Sequence, residues 1–221
     1  MKILCVIPAF EEEATIGKIA EVASKYCHRV VVVDDCSGDR TGEASRQAKA
    51  VVVRHILRLG AGGALSTGFR VALKIDCDIV VTMDGDGQHD PHEIPNLVDP
   101  ILNDQSDMVV GSRFLRERRD MPFDRRLGNR LLSSATSLAA GVKITDSQSG
   151  FRAYRRKVLD YVVHRSMDYR WASEILIAAC RAHFRIKEVP IRTIYVRNRR
   201  RGANISDGLK ILFSTARHEH R

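Results

Sequence analysis

The 221-residue chain is poor in the features that would place it in a membrane, outside the cell or on nucleic acid. No run approaches the roughly 20 apolar residues that cross a bilayer. The first apolar run is short and stops at Glu11-Glu12-Glu13, so no secretory leader is expected. The five cysteines (Cys5, Cys27, Cys36, Cys77 and Cys180) form no C-x-x-C pair, and several lie in strand-like runs. That pattern predicts reduced, buried thiols in a cytosolic protein. Aromatic residues make up 6% of the chain and do not alternate with its arginines, as a stacking platform for single-stranded nucleic acid requires. No Walker-type lysine follows the glycine-rich segment 60–63, which disfavours ATP hydrolysis. Internal repeats and low-complexity segments are absent.

What the chain has in excess is positive charge, formally +9, within an ordinary composition of 44% hydrophobic and 29% charged residues. The excess predicts an anionic partner: nucleic acid, acidic lipid or a phosphorylated substrate. A chain of this length forms one well-buried domain, at most with a small appendage.

The segment Asp78-Ile-Val-Val-Thr-Met-Asp84-Gly-Asp86-Gly-Gln88 is the most informative. An apolar run ends in two carboxylates one residue apart. Side chains on a strand alternate in direction, so Asp84 and Asp86 converge only if the chain turns at Gly85 and Gly87. Two hard oxygen ligands on such a turn form a half-built site for Mg2+ or Mn2+, with open positions that suit phosphate oxygens. An Asx-rich turn capping a strand is the structural alternative. His89 and His92 close by suggest zinc, but no third or fourth ligand stands beside them.

Apolar, β-branched runs recur at residues 2–7, 29–33, 51–54, 78–83 and 107–110. Helix-like stretches at 12–25, 42–49, 62–74 and 92–102 separate them. This alternation argues for an α/β fold with a mostly parallel sheet covered by helices on both faces. Right-handed crossovers then place the strands' C-terminal ends along one edge. Pro8 follows the first strand, Asp34 and Asp35 close the second, and Asp84 closes the fourth, so distant carboxylates are expected in one crevice. Beyond residue 112 the alternation fails. Residues 112–130 read as a loop with seven arginines (113, 116, 118, 119, 125, 126 and 130), followed by a helix at 127–140. A glycine turn at 146–151, a helix at 171–182, a strand at 185–190 and a basic tail complete one domain. Residues 1–112 form its metal half, and 113–221 build its acceptor side. Leu209, Leu212, Phe213 and Ala216 fit a short interfacial helix or ordinary docking onto the core.

Each cluster carries more than one reading. Asp34 or Asp35 serves as a helix cap or as an acceptor for a nucleobase N–H or ribose hydroxyl. Gly60-Ala-Gly62-Gly63 is a plain helix entry or a phosphate contact. The arginine loop is a solvated face, a nucleic-acid surface or a clamp for a phosphorylated substrate, and its place after the sheet edge favours a small anionic substrate or lipid head group. Asp146 in Asp-Ser-Gln-Ser-Gly-Phe-Arg152 belongs to a tight turn, or acts as a general base or acceptor-orienting group.

The segments IPAFEEEATIG, VVVDDCSGDRT, GAGGALSTGF, VTMDGDGQHDP, DMVVGSRF, TDSQSGFRAY and KEVPI together resemble the inverting family 2 glycosyltransferases. Within them the chain is most similar to dolichol-phosphate or polyprenyl-phosphate mannose synthases. The resemblance implies a GT-A fold and a nucleotide-sugar donor held by Pro8, Phe10, Glu12, Val33 and Asp35. It implies Mg2+ or Mn2+ held by Asp84, Asp86 and Gln88, with Gly85 between the carboxylates, and Arg113, Arg197 and Arg201 assisting at the phosphates. Arg113 and Arg126 would meet a lipid-phosphate acceptor, and Asp86, Asp146 and Arg113 would carry the chemistry. The implied activity is transfer of a hexose from GDP-mannose to polyprenyl or dolichyl phosphate at the cytoplasmic face of a membrane, with a membrane-anchoring subunit as a possible partner and no nucleic acid. Departures fall at Glu11, Cys36, Gly85 and Ala61, where the family usually has asparagine, glycine, alanine, and lysine or glutamine. Of these, Glu11 and Ala61 leave the donor open, with a UDP-sugar as the alternative; a sugar-hydroxyl acceptor is a separate alternative. Position 167 is Met before Arg170-Trp171, so the Q-x-x-R-W signature of processive polysaccharide synthases is missing.

Overall fold

The computed structural model describes residues 1–115, 123–163 and 171–194, and side chains in all of these except 123–126. Seven strands form one sheet: β1 (Ile3–Ala9), β2 (Arg29–Asp34), β3 (Val51–Arg54), β4 (Ile79–Thr82), β5 (Met108–Ser112), β6 (Arg152–Arg155) and β7 (Ile186–Pro190). Their order is β3-β2-β1-β4-β6-β5-β7, and all run parallel except β6, which is antiparallel to both neighbours. Six strands therefore end on one edge, the expected crevice.

The inner strands are apolar on both faces because both are covered. Leu4, Val6, Val31, Val33 and Val80 face α3 (Gly60–Lys74), α6 (Arg156–Val162) and α7 (Trp171–Arg181). Cys5, Ile7, Val30, Val32, Ile79 and Val81 face α1 (Ile16–Ala23) and α4 (Ile94–Leu102). The period-two switch between these sets is the strand geometry itself. In α1 the buried residues Ile16, Ile19, Ala20 and Ala23 recur at helical spacing. In α3 a Cβ on Gly68 would fall 2.2 Å from Val6 Cγ1, so glycine here sets how closely the helix approaches β1. The two remaining helices are α2 (Thr41–Gln47) and α5 (Phe123–Ala140).

The structure corrects the sequence reading in four places. Helix α5 begins at Phe123 rather than 127, so residues 123–126, expected as loop, belong to it; arginine is a good helix former. Helix α1 begins at Ile16 rather than 12, because Glu12 O accepts the N–H groups of Thr15 and Ile16 in a separate turn. Helix α3 begins two residues early, at Gly60. Strand β6 and helix α6 were not anticipated, and β6 intervenes between β4 and β5, which sequence order made adjacent. All five cysteines are free, with Cys5, Cys27 and Cys77 buried. Among the described residues no helix is long and apolar enough to cross a membrane. The 206–216 segment lies outside the described residues.

Candidate active site

Asp84 emerges at the sheet edge two residues after β4. The turn that follows is packed from below. A Cβ on Gly85 would meet Ala9 Cβ at 3.2 Å, Ile16 Cδ1 at 3.3 Å and Pro8 O at 3.3 Å, while Gly87 holds a φ of +78°. Thr15 Oγ1 donates to Gly85 O at 2.8 Å, tying the turn to the start of α1. Asp86 is clamped by Gln88, whose backbone N–H reaches Oδ1 at 2.9 Å and whose Nε2 reaches Oδ2 at 2.5 Å. Only the amide oxygen of Gln88 is left as a ligand atom.

Asp84 packs closely against the backbone of Gly150, and its Oδ2 lies 3.6 Å from His89 Nδ1. A Cβ on Gly150 would fall 2.7 Å from Asp84 Oδ1 and 2.8 Å from Oδ2. Gly150 is in turn anchored by Thr82 Oγ1, which donates to its carbonyl at 2.8 Å. Although 45% of the Asp84 side chain is open to the crevice, the surrounding protein desolvates the carboxyl and holds it above its ordinary pKa, against the pull of Arg113 and Arg152. Its backbone N–H donates to His89 Nδ1 at 3.2 Å, and the His89 ring stacks on Phe151 with centroids 5.2 Å apart. Burial lowers His89 to a pKa of about 4, so it is neutral near pH 7. His92 instead meets Tyr26 OH at 2.8 Å. The two histidines serve different neighbours, and no cluster of three His, Cys, Asp or Glu able to hold a metal exists among the described residues. A pair of hard oxygen donors fits a cation that keeps other positions open, as Mg2+ and Mn2+ do with phosphate ligands, and does not fit zinc.

Across the crevice, Asp146 is fully buried and gripped by Arg113: Nε to Oδ2 at 2.7 Å, Nη2 to Oδ1 at 2.8 Å, and the backbone N–H to Oδ2 at 3.0 Å. Desolvation pushes Asp146 up, but the hydrogen bonds and charge of Arg113 outweigh it and hold the carboxyl below its usual range. Glu188 of β7 accepts the backbone N–H groups of Thr145 and Asp146 at 2.9–3.0 Å, fixing the irregular segment that carries that carboxylate. Buried Arg152 donates to the carbonyls of Ser149, Ala172 and Ser147 at 2.7–2.8 Å and so shapes the turn containing Gly150.

At the other end of the edge, Asp35 is 4% exposed in its side chain and accepts three internal donors. His55 Nδ1 and the Leu59 N–H reach Oδ1, and the Gly60 N–H reaches Oδ2, all at 2.8 Å. Asp34 accepts from the Ser37 N–H at 2.9 Å and lies 3.6 Å from Arg54. The Gly60 amide is thus already engaged within the protein. Pro8 pairs with Val33 in the sheet, and Val33 is wholly buried, so it offers no side-chain surface to a ligand. The Glu12 N–H is held by Thr41 Oγ1 at 2.8 Å, and Phe10 is covered by Arg58. The structure therefore gathers Pro8, Phe10, Glu12, Asp35, Asp84, Asp86, Gln88, Arg113 and Asp146 around one edge. Arg197, Arg201 and the side chain of Arg126 lie outside the described residues. Gly150, Glu188 and Arg152 were missed by sequence reasoning; the Ser-Gly-Phe-Arg run was the only signal for two of them.

Residues 4–163 match the family described as Glycosyl transferase family 2. The chain belongs to that family. It is a glycosyltransferase of the GT-A fold. An uncharacterized protein of Methanocaldococcus jannaschii is 41% identical over 96% of this chain and 90% of its own length. The UDP-N-acetylglucosamine–dolichyl-phosphate N-acetylglucosaminyltransferase of Methanococcus voltae is 36% identical over 96% of this chain and 93% of its own length. The dolichol-phosphate mannosyltransferase of Pyrococcus furiosus is 31% identical over all of this chain and 63% of its own. The fold is shared with glucosyl-3-phosphoglycerate synthase of Mycobacterium tuberculosis, solved with Mn2+, UDP and glucosyl-3-phosphoglycerate: TM-score 0.71 and 20% identity over 98% of this chain and 78% of that one.

Proposed function

We propose that this glycosyltransferase moves a hexose or N-acetylhexosamine from a nucleotide-sugar donor onto a polyprenyl or dolichyl phosphate at a membrane surface. The observation that carries the reading is the pairing, on one sheet edge, of the Asp84–Asp86 turn with the Arg113–Asp146 ion pair. The first is acidic and partly open; the second presents a guanidinium whose position is fixed. The lipid-phosphate acceptor is favoured by the M. voltae and P. furiosus relatives, which share it while differing in sugar.

The proposed reaction is a single displacement. An acceptor phosphate oxygen forms a bond to the anomeric carbon as the bond to the donor diphosphate breaks, and the electron pair leaves with the diphosphate. Mg2+ or Mn2+ held by Asp84 and Asp86 would neutralise charge on the departing diphosphate. Gln88 holds Asp86 in orientation for that ion. Arg113 stabilises phosphate charge from a position set by Asp146 and Glu188. A phosphate acceptor is already anionic near neutral pH, so it needs positioning more than deprotonation. Asp146, with both oxygens engaged, contributes through Arg113 in this scheme. A sugar-hydroxyl acceptor would instead require Asp146 as base and hence a rearrangement of that ion pair.

For the donor, the motif resemblance favours GDP-mannose, while the relative of M. voltae favours UDP-N-acetylglucosamine. The decisive experiment incubates the purified chain with Mn2+ or Mg2+, polyprenyl phosphate and radiolabelled GDP-mannose, UDP-N-acetylglucosamine or UDP-glucose, and measures label entering the organic phase. Transfer from one donor, abolished in Asp86→Ala, supports the reading and names the sugar. Full activity in Asp86→Ala refutes the metal scheme. Failure with all donors, despite metal-dependent donor binding, points to a hydroxyl acceptor or a required membrane subunit.

A further inference from the structure

The end of the crevice near β1 and β2 carries an arginine that none of the family motifs includes. Arg58 lies in the exposed segment between β3 and α3, and its guanidinium carbon sits 3.7 Å from the centroid of the Phe10 ring. Phe10 directly follows β1, and the Asp35 N–H donates to Ala9 O at 2.9 Å, so Phe10 and Asp35 are adjoining strand ends. No hydrogen bond joins the Arg58 side chain to another described residue. Its backbone, by contrast, is pinned on both sides. The His55 N–H donates to Asp34 O at 2.9 Å, and the Leu59 and Gly60 N–H groups donate to the Asp35 carboxylate. A planar cation thus rests on an aromatic face, on a segment whose neighbouring backbone amides are hydrogen-bonded.

Two physical facts bear on what this arrangement does. An exposed cation such as Arg58, resting on the half-buried Phe10 ring, is weakly held, whereas a nucleobase stacked on the same ring gains more contact. Both oxygens of Asp35 are already engaged by His55, Leu59 and Gly60, so that carboxylate is a poor reader of a base edge in this arrangement. The guanidinium supplies a planar fork of donors that matches carbonyl oxygens.

We infer that Arg58 selects the donor's nucleobase: the base takes the place of the guanidinium on Phe10, and the displaced Arg58 side chain donates to a carbonyl oxygen on the base edge. The inference rests on the nucleotide-sugar reading of the crevice. It assigns the preference to bases that carry an exocyclic carbonyl, uracil or guanine, over adenine, which carries none.

The test measures dissociation constants of UDP, GDP and ADP, each with Mn2+, by titration calorimetry on the full chain and on Arg58→Ala, Arg58→Lys and Phe10→Ala. The full chain is expected to prefer UDP or GDP over ADP by about tenfold or more. Arg58→Ala brings that ratio close to one, and Arg58→Lys, which keeps the charge without the fork, does the same. Phe10→Ala weakens all three nucleotides together. An Arg58→Ala chain that keeps the parent ratio, or a parent with no preference, overturns the role of Arg58 while the donor reading stands. A parent that binds none of the three overturns the donor reading and this inference with it.

Discussion

Arg113 closes a two-pronged ion pair on Asp146, with Nε and Nη2 at 2.7 and 2.8 Å from the two oxygens of a carboxylate that has no exposed surface. The backbone N–H of Arg113 adds a third donor to the same group. The pair joins the end of β5 to the turn before β6, and Gly150 of that turn lies against Asp84. It therefore links the stability of the second half of the sheet to the geometry of the crevice.

Asp146→Asn leaves the Arg113 guanidinium without its counter-charge in a largely enclosed position. Breaking a buried pair from one side costs about 3–5 kcal/mol, which corresponds to a fall in Tm of about 6–20 °C for a chain of this size. Transfer activity should fall with it at temperatures where the variant is folded. Removing both partners together (Arg113→Met with Asp146→Leu) should cost less stability than the sum of the single changes, as read by thermal melts. Additive losses would show that the two side chains do not act as a pair.

Gly150→Ala tests the contact with Asp84. Gly150 does not hold a positive φ, so alanine is tolerated by the backbone, but its methyl would lie 2.7–2.8 Å from both Asp84 oxygens. The carboxylate must move. A loss of transfer of about a hundredfold is expected, with Mn2+ dependence weakened and the melting transition shifted by only a few degrees. Parent-like activity would mean that the position of Asp84 is not critical.

Gly68→Ala tests the close approach of α3 to β1. The added methyl collides with Val6 Cγ1, and overpacking of this kind costs about 1–3 kcal/mol, offset in part by the better helix propensity of alanine. Val6→Ala in the same chain removes the obstructing methyl and should recover part of the loss. The double-mutant cycle, measured by urea unfolding, reports the sign of the coupling.

The pH dependence of stability is expected to come partly from Asp107, at the end of the sheet opposite the crevice. Its carboxylate is held far below the ordinary range because hydrogen bonds from Arg185 and Lys157 outweigh its desolvation. A carboxylate depressed in the folded state stabilises above its unfolded pKa, about 4, and loses that contribution as pH falls toward the folded value. Asp107→Asn should therefore be less stable than the parent by about 1–3 kcal/mol at pH 7, and the gap should shrink steadily below about pH 4. A gap independent of pH in urea titrations would assign the loss to packing instead.

The unequal reach of sequence reasoning has physical causes. β1, β2, β4 and β5 were legible because their short β-branched runs are buried, and burial leaves a mark on composition; β3 showed the same β-branched run although it is a half-exposed edge strand. Asp84 and Asp86 were legible because a carboxylate pair flanked by glycines at the end of such a run has few structural uses. β6 was not legible, since Arg-Ala-Tyr-Arg has no apolar run. Arg152 is buried there only because three carbonyls from separate segments converge on its guanidinium. Asp35 shows the same limit from the other side. Its place on the sheet edge followed from sequence order, but its occupation by His55, Leu59 and Gly60 did not.

The sequence by itself determined the class of fold, the membership in the family and the placing of the Asp84–Asp86 pair at the edge where the candidate site lies. Each of these is local: a hydrophobic period, a glycine-flanked turn, a run of residues in fixed order. Only the tertiary structure decided that Asp146 is a bound partner of Arg113 rather than a free carboxylate, that Gly150 sits against Asp84, and that Arg58 lies on Phe10. Those facts depend on groups that meet across 33, 66 and 48 positions of chain, and hydrogen bonds and contacts at such separations are fixed by packing, which leaves no periodic trace in the order of residues.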